Sequence, residues 1–289
     1  MKAPSFAYHA PGNCGDLVDL LAQLDNAKVL AGGQSLMPML NLRLLAPDHL
    51  IDINRIPELV GIRISTDHIE VGAMTRQSDL LGSDELATAA PIFREALAHV
   101  GHVQTRSRGT IGGSCCHLDP AAELPALCAL LDAEFGVIGP GGSRTVAAGD
   151  WFKGYLQSDL DERELLRALR WRRWPAGHGS GFNEYARRRG DFAMAGAAAL
   201  VACDAGQAVQ RVAIVVFGVA PVPVRLRKAE QALIGRRLDE AGIAEAVAEA
   251  QLLEPMSDVH VSVDHRRHLA GVVTKRALSE AARKATATA

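Results

Sequence analysis

Two pairs of adjacent glycines set the strongest limit on how this chain can fold. One follows the apolar Val29-Leu30 in "AGGQSLMPML" (31–40), and the other lies in "GTIGGSCCH" (109–117). Glycine admits positive φ and lets a backbone come close to its neighbour. Successive N–H groups in such a turn form a concavity that suits an anion. A strand followed by Gly32-Gly33-Gln34-Ser35 therefore reads as a phosphate cradle, with Ser35 adding a hydroxyl donor. The plain alternative for either pair alone is a turn with no ligand, because short glycine motifs are unspecific. Neither pair is G-x-G-x-x-G and neither carries a P-loop lysine, which disfavours a nicotinamide Rossmann domain and a P-loop nucleotide hydrolase. Taken together, they suit the pyrophosphate of a dinucleotide gripped from two sides. On that reading, a side chain at Gly33 or Gly112 would stand where the phosphates must approach. A dinucleotide also presents ribose hydroxyls. Glu123, nine residues after Ser114, either accepts from them or is a solvated helix carboxylate.

The rest of the chain alternates helical and extended patterns. "GDLVDLLAQL" (15–24) places Leu17, Leu20, Leu21 and Leu24 on one helical face. "KVLAGG" reads as a short buried strand ending in a turn, and "HLIDI" (49–53) as a second strand. Ile62/Ile64 and Ile69/Val71 alternate around Thr66-Asp67, as in a hairpin. "PIFREALAHV" (91–100) and the stretch after "GTIGGSCCHLDP" read as helices, with Pro125 either starting or kinking the second. "PAGHGSG" (175–181) is a compositional break and marks a domain boundary. Beyond it, two strands joined at Asp204-Ala205-Gly206 precede three helical segments and the tail "KATATA", expected to be frayed.

Composition removes several functions. The 289 residues carry a net charge of −2, which argues against general nucleic-acid binding. No apolar stretch approaches the roughly 20 residues of a membrane span. "MKAPSFAYHAPG" lacks the apolar core of a signal peptide, and the expected location is the cytoplasm. The five cysteines (Cys14, Cys115, Cys116, Cys128, Cys203) are odd in number and scattered, which indicates reduced thiols. They match no C-x4-C-x2-C run, so the chain holds no [2Fe–2S] cluster of its own. The spacing of Cys115, Cys116, His117 and Cys128 is not that of a structural zinc site. His99 with His102, and His265 with His268, have helical spacing but no third ligand nearby, so surface or capping roles are expected. "WRRW" (171–174) and "YARRR" (185–189) interleave aromatics with cations. In a chain of this charge they suit salt bridges or a partner interface. No nucleophile triad is legible.

"AGGQSLMPMLNLRLLAPDHLIDINRIPEL" and "HVQTRSRGTIGGSCCHLDPAAELPALCALLDA" resemble the two flavin-binding motifs of the FAD-binding medium subunit of molybdenum hydroxylases, the carbon monoxide dehydrogenase and xanthine dehydrogenase group. The resemblance runs in order through "GDWFKGYLQSDLDERELL", "GFNEYARRRGDFAMAG", "FGVAPVPVR" and "SVDHRRHLAGVVTKRAL", covering essentially the whole chain. It implies an α+β fold with a two-part FAD-binding domain of the vanillyl-alcohol-oxidase/MurB-like (PCMH) type over residues 1–177, in subdomains of about 1–57 and 58–177. A smaller C-terminal α/β domain (178–289) would close over the flavin.

The resemblance also implies a site. Ala31, Gly32, Gly33, Gln34 and Ser35 would form the first pyrophosphate loop, and Thr110, Ile111, Gly112, Gly113 and Ser114 the second. Glu123 matches an acidic residue near the adenosine ribose. Leu166, or its neighbour Leu165, would meet the flavin or adenine part through its backbone, and Phe192 would lie near the isoalloxazine face. His117, close after the second turn, reads from its position as a side contact only. Ser114, Gln34, the Cys115-Cys116 pair and Asn183 depart from common family residues. Asn183 stands where xanthine dehydrogenases place a lysine near the flavin. The implied role is non-covalent FAD binding and electron transfer. A small partner subunit would hold the [2Fe–2S] clusters and a large one the molybdenum cofactor, in a dimer of heterotrimers that reduces an external electron acceptor. No catalytic acid or base and no metal are expected on this chain. Two other readings stay open: a free-standing flavin oxidoreductase of the same superfamily, and an assembly or scaffold subunit without FAD. The intact glycines speak against the last.

Overall fold

The computed structural model describes residues 2–288, with side chains described through residue 285. The chain opens with strands β1 (Ala7–His9), β2 (Ala27–Leu30) and β3 (His49–Asp52), which form a parallel sheet in the order β1-β3-β2. Parallel strands need crossover connections, and the helix Cys14–Gln23 carries the chain from β1 across to β2 on the far side of β3. Asn13 starts it, its Oδ1 accepting from the Asp16 N–H at 2.9 Å. Leu17 and Leu21 are buried against Ile51, Ile53 and Leu59, with Leu20 and Leu24 beside them, as the helical spacing required. β2 is half-buried along its length rather than buried, because one side of it faces an open cleft.

The second sheet is antiparallel. It is built from β4 (Ile62–Ile64), β5 (His68–Gly72), β6 (Glu134–Gly139) and β7 (Gly142–Ala147). The ribbon β8 (Phe152–Gly154) and β9 (Gln157–Ser158) then leads to β10 (Leu165–Arg172), giving the order β4-β5-β10-β6-β7. The helix Glu123–Leu130 forms the centre of the core, every residue after Glu123 being buried. Pro125 is its third residue and so starts the helix rather than kinking it, since a first-turn N–H has no intrahelical partner to lose. Trp151 stacks on Phe135 at 4.3 Å and donates its indole N–H to the Cys115 carbonyl at 3.0 Å.

The last sheet, β11 (Gly179–Tyr185), β12 (Ala195–Cys203), β13 (Val209–Phe217) and β14 (Val224–Arg225), is antiparallel in that order. The expected turn joins β12 to β13, with Asp204 Oδ1 accepting from the Ala208 N–H at 2.9 Å. This sheet is covered on both faces. Ala198, Leu200, Val215 and Phe217 join the core of the preceding sheet. Ala197, Ala199, Ile214 and Val216 pack under the helices Arg227–Leu233, Glu240–Gln251 and Val263–Thr288. Alternate residues serve opposite faces, so double burial requires a continuous apolar run. The glycine-rich break is partly strand. A Cβ at Gly181 would lie 2.0 Å from the Ala277 carbonyl oxygen, so the final helix rests directly on β11. The tail expected to fray continues that helix to Thr288, and Ala289 lies outside the described residues. Among the described residues, no helix is long and apolar enough to cross a membrane.

Arg225 bolts this last layer to the rest. Its guanidinium meets Glu230 bidentately (2.7 and 2.9 Å) and donates to the Ala129 and Leu130 carbonyls (2.9 and 3.0 Å). Both side chains are nine-tenths buried, and Glu230 also accepts from the Ile214 N–H. Truncating Arg225 leaves the buried Glu230 with the Ile214 N–H and the exposed Arg227, 3.6 Å away, as its remaining partners. Arg225→Ala should therefore cost roughly 3–5 kcal/mol in denaturant unfolding, and the double replacement Arg225→Met with Glu230→Leu much less. Equal losses in the two proteins would show that the pair acts only by filling space.

Candidate functional site

A cleft of ≈ 670 Å³ opens where the parallel sheet, the second glycine motif, the start of β10 and the loop after β11 meet. Ala31, Gly32, Gly33, Gln34, Ser35, Thr110, Gly112, Gly113, Ser114, Glu123, Leu166 and Phe192 all line it, as do Leu165 and His117. Ile111 does not. Its side chain is fully buried in the core and its N–H donates to the Thr75 carbonyl, so Ile111 is withdrawn as a ligand contact.

The two glycine motifs are built differently. In the first, Gly33 has φ +71°, and the chain turns from β2 into the helix Leu36–Asn41. The N–H groups of Gly32, Gly33, Gln34 and Ser35 meet no acceptor among the described residues, and the Ser35 hydroxyl is likewise unused. That is an empty run of donors facing a cleft, the arrangement that binds anions. The second motif was expected to be a second loop of this kind, and the structure corrects that. Residues Ile111–His117 are a helix capped by Thr110, whose Oγ1 accepts from the Gly113 N–H at 3.0 Å. The Gly112 N–H donates to the Ala73 carbonyl at 2.8 Å and that of Ser114 to Thr110 at 3.1 Å. From Gly109 to Ser114 the backbone donors are thus spent inside the protein, except the Thr110 N–H, which meets no acceptor among the described residues.

The glycines themselves serve close approach of chain to chain. A Cβ on Gly32 would lie 2.1 Å from the Arg108 carbonyl oxygen, and one on Gly112 would lie 2.5 Å from the Ala73 Cβ. The expectation that a side chain at Gly112 would displace only the ligand is therefore corrected: it would first collide with β5's end. Arg76 fastens the two motifs together. Its guanidinium donates to the Arg108 carbonyl and to Asn54 Oδ1, while Asn54 Nδ2 donates to the Ala31 carbonyl at 2.9 Å. Behind them Asp52 accepts from the Asn54 N–H at 2.8 Å and from the Tyr8 hydroxyl at 2.7 Å.

Glu123 is the first residue of its helix and half-buried in the cleft wall. Burial, and then the charge of Glu184 from β11, push its carboxyl up to about 8, with a smaller push from Asp119. Glu184 is itself nearly fully buried, 3.2 Å from His99 Nδ1. His99 thus contacts Glu184 across the two layers, and His102 stands at the start of the helix Val103–Arg108, lining the cleft. Burial lowers the pKa of His117 and pushes the Cys116 thiol up to about 12, so the cleft presents a neutral imidazole and an unreactive thiol. Cys115 and Cys128 lie 3.6 Å apart, buried, and all five cysteines are free. No cluster of three or more His, Cys, Asp or Glu among the described residues is placed to hold a metal. Half of "WRRW" is interior: Trp171 is buried, and Arg211 lies 4.1 Å above the Trp174 ring. Phe192 stands at the rim of the cleft, 74% exposed. Asn183 lines a separate outer cavity with Phe182 and Lys275 rather than the cleft. Sequence reasoning missed Lys28, Met39, Leu45, Gln77 and Leu160 as lining residues. Met39 and Leu45 carried a signal in the apolar run after Ser35, whereas Gln77 carried none.

Two family models match the chain: the FAD binding domain in molybdopterin dehydrogenase over residues 4–171, and the CO dehydrogenase flavoprotein C-terminal domain over residues 180–281. The carbon monoxide dehydrogenase medium chain of Hydrogenophaga pseudoflava is 39% identical, over 97% of this chain and 98% of that protein. The 6-hydroxypseudooxynicotine dehydrogenase complex subunit alpha of Paenarthrobacter nicotinovorans is 38% identical, over 100% and 98%. A solved structure of carbon monoxide dehydrogenase from H. pseudoflava superposes with a TM-score of 0.95 at 40% identity, covering 98% of this chain and 99% of that one. The chain belongs to the family of FAD-binding medium subunits of molybdenum hydroxylases, and it is a subunit of an FAD-dependent oxidoreductase.

The raised Glu123 pKa has a stability consequence in the ligand-free chain. The ordinary value is 4.5, so between that and about 8 the folded state holds a proton that the unfolded state has released. Stability contributed by neutral Glu123 is present below pH 4.5 and lost as pH rises toward 8. Glu123→Gln should therefore gain over the native chain as pH rises from 5 to 9, by on the order of 2 kcal/mol. Denaturant unfolding at both ends of the range checks this, and parallel curves would count against it.

Proposed function

We propose that this chain holds FAD non-covalently in the cleft and works as the electron-transfer subunit of a multi-subunit molybdenum hydroxylase. The single observation that carries the binding mode is the run of four unused N–H groups from Gly32 to Ser35 in a two-walled cleft. These donors, with the Ser35 and Ser114 hydroxyls, would take the pyrophosphate. Glu123 would accept from ribose hydroxyls, giving up its proton to do so. The Leu165–Leu166 backbone would border the cofactor, and Phe192 would cover its ring. Bound FAD supplies the redox chemistry, and the protein supplies grip, orientation and local electrostatics. Thr110 contributes by fixing the second wall, and the thiol of Cys116, held protonated, stays out of the reaction.

Electrons would arrive from [2Fe–2S] clusters on a small partner subunit and leave to an external acceptor. A large partner would carry the molybdenum cofactor and act on the substrate, in a dimer of heterotrimers in the cytoplasm. The absence of a cluster-binding cysteine run supports the division of labour. We place the boundary between the FAD-binding domain and the C-terminal domain at residues 177/178, in the gap between the two family matches. The relatives named for carbon monoxide and for 6-hydroxypseudooxynicotine are 39% and 38% identical, so overall likeness does not choose the substrate.

The chain should co-purify with two partners in a complex that contains FAD, iron and molybdenum, and its substrate should bleach the flavin only in that complex. Hydroxylation by the isolated chain, or stoichiometric iron in it, would sink the reading. Within the complex, Glu123→Ala should weaken FAD binding by about 1.5–3 kcal/mol, the scale of a bond to a charged group. FMN, which lacks the adenosine ribose, should be nearly unaffected. Equal losses for the two would show that Glu123 acts through the fold.

A further inference from the structure

Glu184 is a buried carboxyl group with one side-chain partner. Its side chain is 4% exposed, and Oε1 lies 3.2 Å from His99 Nδ1. Oε2 meets no donor among the described residues. β11 fixes this position, because alternate residues of a strand share a face. On that face Ser180 donates to Glu95 Oε1 at 2.7 Å, and the Phe182 ring lies 5.2 Å from that of His99. Glu184 therefore looks toward the helix Ile92–Leu97 and the residues just after it. Across the sheet it stands opposite Gly196, and Gly196 stands opposite Phe217. The Phe217 ring fills the space that Gly196 leaves, since a Cβ there would lie 2.1 Å from it. Apolar rings thus cover Glu184 where water would otherwise screen its charge.

The same row of the sheet leads to the cleft. Gly218, the residue after Phe217, donates its N–H at 2.8 Å to the carbonyl of Pro120, three residues before Glu123. Glu123 and Glu184 therefore occupy neighbouring places on one sheet, and charges act strongly across a dry interior. After burial, Glu184 has the largest effect on Glu123, and Asp119 adds to it. His117 and Asp119 are the other titratable groups beside Glu123 in the cleft wall. The titratable group facing Glu184 from the helical layer is His99, which is 41% exposed and lines the outer cavity with Glu95 and Lys275. When His99 holds a proton, its contact with Glu184 is an ion pair that offsets the field at Glu123. When it is neutral, the contact is a hydrogen bond that leaves the field in place.

We propose that FAD binding expels the proton of Glu123, and that Glu184, with His99 as its counter-group, sets how readily that proton leaves. The proposal rests on the FAD reading above. Glu184 and His99 do not line the cleft and are positioning residues that act through Glu123. The ionised carboxylate is the stronger acceptor for ribose hydroxyls. A ligand that takes the ionised form binds more tightly as pH rises, until the free protein has lost the proton as well. FAD affinity should therefore climb by about tenfold per pH unit below about pH 8 and level off above it.

The test uses the complex purified with its partners, from which FAD is removed and titrated back between pH 6 and pH 9, with a dye reporting proton release in weak buffer. The native complex should release a proton as FAD binds at the acidic end, and Glu123→Gln should bind FAD with no release and a flat profile. Glu184→Gln, which keeps the shape and an acceptor for His99, should tighten FAD several-fold at pH 6 and move the levelling to lower pH. His99→Gln keeps a donor but never carries charge. It should weaken FAD at pH 6 and leave affinity at pH 9 unchanged, and it carries the test if Glu184→Gln does not assemble. A native complex that takes up no FAD overturns the FAD reading and this inference with it. FAD that binds with one affinity across the range and no proton release overturns this inference alone. Native profiles in both the Glu184 and the His99 variants would overturn it too, as would proton release that survives Glu123→Gln.

Discussion

The contact between Gly32 and the Arg108 carbonyl holds the site together. It brings the end of a parallel-sheet strand against the loop before a helix from the other half of the molecule, at a distance no side chain would allow. The Arg76 guanidinium fixes that contact from the side, reaching Arg108 and, through Asn54, Ala31. Arg76 is partly buried, and burial, followed by the nearby Arg108 charge, lowers its pKa. The like charge is tolerated because carbonyl and amide oxygens face the guanidinium. These contacts lie within the protein, so the chain itself ties the two walls of the cleft together.

Legibility in the sequence followed periodicity. The leucine face of Cys14–Gln23, the 62–71 hairpin and the paired apolar strands β12 and β13 were all visible, because burial on a fixed face imposes a repeat of 3.6 or 2. β11 was not, because its glycines answer to a helix lying on the strand rather than to a turn. The short helices Gln77–Gly82, Asp84–Ala89 and Val103–Arg108 were missed as well, since six residues span too few turns to show a face.

The site divides in the same way. Twelve of the thirteen residues expected to bind the cofactor line one cleft, because the motifs are contiguous and the chain delivers them as units. The exception, Ile111, lies inside a motif, where helical geometry turns one residue toward the core whatever its neighbours do. The manner of grip was not legible, since sequence does not say which backbone donors are already taken. Gln77 and the charge of Glu184 on Glu123 come from residues with no mutual spacing, and only the folded chain joins them.

The difference between the two glycine motifs has a genetic consequence. Donors already engaged within the protein bind a segment to the fold, so changes around Gly109–Gly113 act on whether the polypeptide accumulates at all. Donors left free bind a segment to its ligand, so changes at Gln34 and Ser35 act on a protein that is made in normal amounts. A mutational scan read separately for abundance and for cofactor content would divide these two glycine-rich stretches, which look alike in sequence, into different classes of inherited defect.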